Sequence, residues 1–218
     1  MLHERKWRKF LKRVKVLRFV PFVDFVLAAG SLATGKLHEK SDFDVVLGVK
    51  SGRIFTARFF AVIFSGVFGF RRKGADHKEE ASDKLCLNHF VTREAYCLRP
   101  PYNVYWNELY SKLVPVMGDE KVISDFFKAN EWIKPPRQYG RDSRYLGQGQ
   151  SFIKSILEFI FRGWLGDRFE KVLKKLQLRR IERGLPQALG YKSRFVASDS
   201  ELEFHMDTKR IEEMLGQD

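Results

Sequence analysis

The sequence is poor in cysteine, in acids and in long apolar runs, and each shortage closes a class of protein. Cys86 and Cys97 are the two cysteines among 218 residues, too few for a disulfide framework. A reducing compartment follows, and the cytoplasm is the expected location. Neither cysteine has metal-ligand spacing with His77 or His89, so both read as buried or spectator thiols. The most apolar stretch runs from Ile54 to Phe70, and Arg58 interrupts it, leaving twelve uncharged residues from Phe59 to Phe70. A spanning helix needs about 20 apolar residues, so 54–70 is expected to be a buried amphipathic helix and no membrane contact is expected. The basic N-terminus lacks a following unbroken apolar run with a small-residue cleavage site, so a secretory leader is not expected.

Acids are outnumbered, 27 against 40 Lys and Arg, for a net charge of +13. The excess is unevenly placed. Residues 1–20 carry +7, residues 21–133 carry +1, residues 134–194 carry +10 and residues 195–218 carry −5. The two basic flanks, with the helix over 5–18 as one and 134–194 as the other, are therefore the expected contacts for RNA or another polyanion. Tyr139, Arg141, Arg144 and Tyr145 interleave aromatics with cations there, a mixture suited to stacking on bases.

Trp7, Phe10, Leu11, Val14 and Leu17 recur at helical spacing until Pro21. Phe22 to Ala29 reads as a buried strand broken by Gly30-Ser31, and Asp42 to Val49 as a second strand. A helix over 53–68, a loop over 71–82 and a third strand over 84–91 follow. The segments 103–113 and 119–132 read as helices. Pro135, Pro136, Gly140, Gly147 and Gly149 mark 134–150 as a linker or long loop. Residues 151–183 read as one or two helices, with Gly163 or Gly166 as a break. The expected fold is α/β: a small mixed sheet with flanking helices over 1–115, then a mostly helical, basic region over 116–218.

Chemistry concentrates in one segment. Gly30-Ser31 leaves the first strand, and Asp42-Phe43-Asp44 opens the second. Carboxylates at i and i+2 on a strand share a face and repel unless a cation lies between them. Mg²⁺ takes oxygen ligands, commonly one or two carboxylates with phosphate oxygens and water. A Gly-Ser turn lets backbone amides and a hydroxyl approach a phosphate closely. This is equipment for phosphoryl or nucleotidyl transfer.

The stretch LAAGSLATGKLHEKSDFDVVLGVK resembles the signature of the polymerase β-like nucleotidyltransferase superfamily, in which a Gly-Ser pair closes one strand and Asp-x-Asp opens the next. Ala33, Thr34, Gly35 and Ser41 are similar to its small-protein branch. The resemblance implies transfer of a nucleoside monophosphate from ATP or another NTP to an acceptor, with two Mg²⁺ ions. It assigns the nucleotide's triphosphate to Gly30 and Ser31, and the metals to Asp42 and Asp44 as catalytic residues. The family places a third carboxylate, the base, on a later strand. The matching strand over 84–91 has no acid, and Cys86 or Asn88 stands in that position. Asn88 is a candidate nucleotide contact. Asp83 at the strand's entry is the candidate substitute base, with Glu94 past its exit the other nearby acid. His89 can take a proton, but strict alternation would put it on the face opposite Asn88. The missing acid motivates the alternatives: a non-catalytic nucleotide- or RNA-binding module on the same fold, or an antitoxin-like partner protein.

Overall fold

The computed structural model describes residues 2–72, 81–98, 109–133, 139–184 and 194–205. Its centre is a six-stranded mixed sheet with flanking helices, an α/β fold. The strands are β1 (Val23–Ala28), β2 (Phe43–Val49), β3 (Leu85–Val91), β4 (Val114–Gly118), β5 (Arg194–Ala197) and β6 (Glu201–His205), in the order β4-β1-β2-β3-β6-β5. β2 and β3 are parallel and every other neighbouring pair is antiparallel. The parallel pair needs a crossover, and helix α3 (Ile54–Val67) lies within it.

The sheet has two covered faces. On one, Phe43, Val45 and Leu47 of β2 join Trp7, Phe10 and Val14 of α1 (Leu2–Val14), and Ile54, Phe55 and Phe60 of α3. On the other, Val46 of β2 packs with Phe25, Tyr96 and Tyr110, and with Ile123, Phe126 and Phe127 of α4 (Glu120–Lys128). Asp119 caps α4 by accepting hydrogen bonds from the Lys121 and Val122 amides. Strand alternation places Asp44 on the Val46 face, away from α1 and α3.

The apolar segment over 54–70 is largely the core helix α3, and no described helix is long and apolar enough to cross a membrane. The start of α3 is held from a distance. Glu170, buried on α6 (Trp164–Gly184), accepts from the Phe55 and Thr56 amides and from the Thr56 hydroxyl. Those amides lie in the first turn of α3, where the helix itself offers no partner.

The part beyond residue 115 contributes more than helices. β4 pairs with β1, and the hairpin β5–β6 pairs with β3, so strands from both sides of the expected 115/116 division share one sheet. β4 is an edge strand, which is where Pro115 is tolerated. The expected linker over 134–150 falls partly outside the described residues. From Tyr139 onward it packs along β4: Leu146 donates to the Val116 carbonyl, and Gly118 donates to the Gly147 carbonyl. Arg144 pairs with Asp142 and sits over the Trp7 ring at 4.8 Å. Tyr145 donates its hydroxyl to the Gly118 carbonyl. The helix expected over 103–113 lies mostly outside the described residues.

The basic N-terminal helix spends part of its charge inward. Lys6, 1% exposed, donates to the Glu39 and Ser41 carbonyls. Lys6 and Lys9 both pair with Asp83, at 2.7 and 2.6 Å. Arg8, Lys12 and Lys15 remain exposed.

Candidate metal centre

β1 ends at Ala28, and the Ala29 amide donates to the Asp44 carbonyl, so the turn after β1 is stitched to the start of β2. Gly30 then opens the short helix α2 (Gly30–Thr34) with a φ of +61°. A Cβ at this position would overlap Asp44 Oδ2. The backbone therefore approaches the carboxylate as only glycine allows. Ser31 follows, half-buried, and its carbonyl accepts from the Gly35 amide that closes α2.

Asp42, just before β2, and Asp44, within it, are both half-buried. Each offers an oxygen within 4.8 Å of the other and of the Cys86 sulfur, and this group could hold a metal ion. Cys86 stands directly opposite Asp44 in the β2–β3 register. Burial pushes its thiol well above the usual range, and Asp44 and Asp42 push it further; Arg72 offsets only part of this. The third position is thus a protonated, neutral group that cannot act as a base near neutral pH. Arg72 enters from the segment after α3, where its amide donates to the Leu85 carbonyl. Its guanidinium pairs with Asp42 Oδ2 at 2.6 Å, so one carboxylate already faces a cation.

The two proposed polar substitutes on or beside β3 have different fates. Asn88 lines a small cavity with Asp44, Cys86, His89 and Tyr110, with room for about one water. Asp83, with a φ of +63°, is not in the metal-capable group: its carboxylate lies between Lys6 and Lys9, which hold it below the usual carboxylate range despite the burial that opposes this. It ties α1 to the entry of β3. Glu94 is also elsewhere, accepting from the Ser51 and Thr92 hydroxyls.

Strict alternation fails in β3. Asp44 pairs with Cys86 but Val46 pairs with His89, so two residues, Leu87 and Asn88, bulge opposite one. The bulge brings His89 to the same cavity as Asn88 and Cys86. His89, 1% exposed, contacts the Tyr110 hydroxyl through Nδ1 at 2.7 Å and Glu201 through Nε2 at 3.1 Å. Tyr110 also reaches Glu203 at 3.4 Å. His89, Glu201 and Glu203 form a second group whose ligand atoms lie within 4.8 Å of one another and could hold a metal ion. The sequence signal was the Glu-x-Glu alternation at 201 and 203, readable only with β6 as a strand. Cys97, the other free thiol, is exposed, as is His38. His77 and the side chain of His205 lie outside the described residues.

Comparison of the chain with family models, with curated proteins and with solved structures found no match.

Proposed function

We propose that the protein is a Mg²⁺-dependent nucleotidyltransferase that moves a nucleoside monophosphate from ATP or another NTP to an acceptor. The observation that carries this reading is the contact between the Gly30 turn and Asp44, which has Asp42 within metal reach. A glycine forced against a carboxylate, with a second carboxylate within metal reach, fits a turn and a cation sharing one triphosphate. Asp42 and Asp44 hold the metals, which neutralise phosphate charge and orient the NTP. Gly30 and Ser31 face the triphosphate, and Asn88 lies beside Asp44 where it can contact the nucleotide. The acceptor oxygen forms a bond to the α-phosphorus, the bond to the β-phosphate breaks, and pyrophosphate leaves. The acceptor's proton passes to solvent. A polyanionic acceptor such as RNA would meet the exposed cations of α1. Cytoplasmic location suits the substrate and the two free cysteines.

A second reading is supported by Arg72 and Cys86. With Asp42 paired to a guanidinium and a thiol in the third position, the site suits nucleotide binding without turnover. One experiment separates the readings: transfer of label from α-labelled NTPs with Mg²⁺, to an RNA pool and to the protein itself. The first reading expects product from the wild type and none from the Asp42→Ala, Asp44→Ala double variant. Nucleotide binding with equal, negligible transfer by both leaves the second.

A further inference from the structure

Helix α5 (Phe152–Ile160) is built inside out. Its charged residues point inward: Lys154, 6% exposed, donates to the Val23 carbonyl, and Glu158 accepts from the Phe22 amide. Its apolar residues, except Leu157, which packs against the core, point outward. Phe152 is 80% exposed and Phe159 79%, with Ile153, Ile156 and Ile160 beside them on the same stripe. The first turn of α6 continues the pattern with Trp164, 73% exposed, and Leu165. A core-facing helix carries the opposite arrangement, and exposed apolar stripes of this size mark contact surfaces.

The outer face of α6 says what the contact is. Leu165, Arg168, Val172, Leu176 and Arg179 recur on one helical face, with Lys171 and Lys175 next to Val172 and Leu176, and all are exposed. The exposed acids of α6 are Asp167, which pairs with Arg53, and Glu182. Arg168 lies over the Trp164 ring at 5.8 Å. Apolar side chains interleaved with cations that form no ion pair among the described residues, and a tryptophan at the join, match the boundary between lipid tails and anionic headgroups. A protein partner fits less well, since interface cores are depleted of lysine. The geometry points to α5 and α6 as a peripheral docking face for an anionic phospholipid bilayer. At about 1.5 Å per residue α5 is far shorter than a hydrocarbon core, so it would lie flat in the interface. Phe152, Ile156, Phe159 and Trp164 enter the boundary while Arg168, Lys171 and Lys175 meet headgroup phosphates. This contact is distinct from 54–70 and independent of the proposed chemistry.

The test is co-sedimentation of the full chain with vesicles of phosphatidylcholine alone and of phosphatidylcholine mixed with phosphatidylglycerol. Binding to the mixed vesicles, weakened by salt and poor on the neutral ones, is expected. Phe152→Gln with Phe159→Gln keeps the charge and should weaken that binding roughly 100-fold. Lys171→Glu with Lys175→Glu should weaken it at least ~10-fold. Both positions in each pair are exposed, and an unchanged circular dichroism spectrum verifies that the variants fold. No binding by the wild type overturns the proposal, as does equal binding by F152Q/F159Q. So does a wild-type dimer, broken by F152Q/F159Q, that ignores vesicles: the face would then belong to a second copy.

Discussion

Gly30 and Asp44 meet backbone to carboxylate, and there is no room between them for a methyl group. Gly30→Ala must both adopt a left-handed φ and displace Asp44 Oδ2. It should lower stability by about 1–3 kcal/mol and weaken Mg²⁺ binding. Gly35 provides the control: its φ is +84°, but a Cβ there meets nothing within 4 Å. Gly35→Ala should show only the strain and leave metal affinity unchanged. Urea unfolding and calorimetric titration read both, and equal metal affinity in the two variants would contradict the role given to Gly30.

Cys86→Asp installs a carboxylate opposite Asp44. Three carboxylates in this space repel, so the metal-free variant should melt below the wild type, with a loss of about 1–3 kcal/mol. Millimolar Mg²⁺ should raise its melting temperature more than it raises that of the wild type, by linkage. A shift no larger than the wild type's means the three positions do not share an ion.

Arg72 competes with any cation for Asp42. Arg72→Met removes the guanidinium but retains much of the packing volume. Mg²⁺ affinity should rise by about tenfold, close to 1.4 kcal/mol. A fall would show that Arg72 assists the site, for instance by holding a phosphate.

The Cys86 thiol gives a pH signature. Its folded pKa lies above the ordinary 9.0, so the folded state holds this proton more tightly than the unfolded chain. Its contribution to stability is complete below pH 9.0 and is lost as pH rises toward the folded value. Cys86→Ala should flatten the stability profile in that alkaline range. Alkylation offers a direct check: in a Cys97→Ser background, iodoacetamide should label native protein at pH 8 far more slowly than urea-unfolded protein. Comparable rates would place the thiol in solvent.

Glu170 holds two first-turn amides of α3 from α6. Glu170→Ala leaves both without a partner in a buried setting and should cost about 2–4 kcal/mol in urea unfolding. A change under half a kilocalorie would mean that water replaces the carboxylate.

The outer strands were harder to read than the inner ones. β1, β2 and α3 announce themselves because their apolar runs are bounded by Pro21, Gly30, Asp42 and Gly52, β3 because a polar run precedes it, and each fell within a residue or two of its expected span. β4 escaped because Pro115 argues against a strand unless the strand is an edge. β6 escaped because Glu201 and Glu203 look solvent-facing until His89 and Tyr110 are seen to meet them. The same holds for the site. Gly30, Asp42 and Asp44 are close in sequence and joined by one short connection, so their proximity could be inferred. Arg72 reaches Asp42 from thirty residues away, and the bulge at Leu87–Asn88 that turns His89 inward has no sequence marker.

The pairing of β6 with β3 also sets an order of events during synthesis. The strands carrying Asp44 and Cys86 leave the ribosome early, but the strand that covers the free side of β3 follows about 110 residues later. At cellular translation rates that interval is roughly 5–20 s. Throughout it, the nascent β3 presents an unpaired apolar edge, with Phe90 and Val91 in it, to any neighbouring chain. Premature termination before residue 194 would make that condition permanent, so truncated products should be chaperone clients or inclusion-body material even though every residue of the Asp42 group is present.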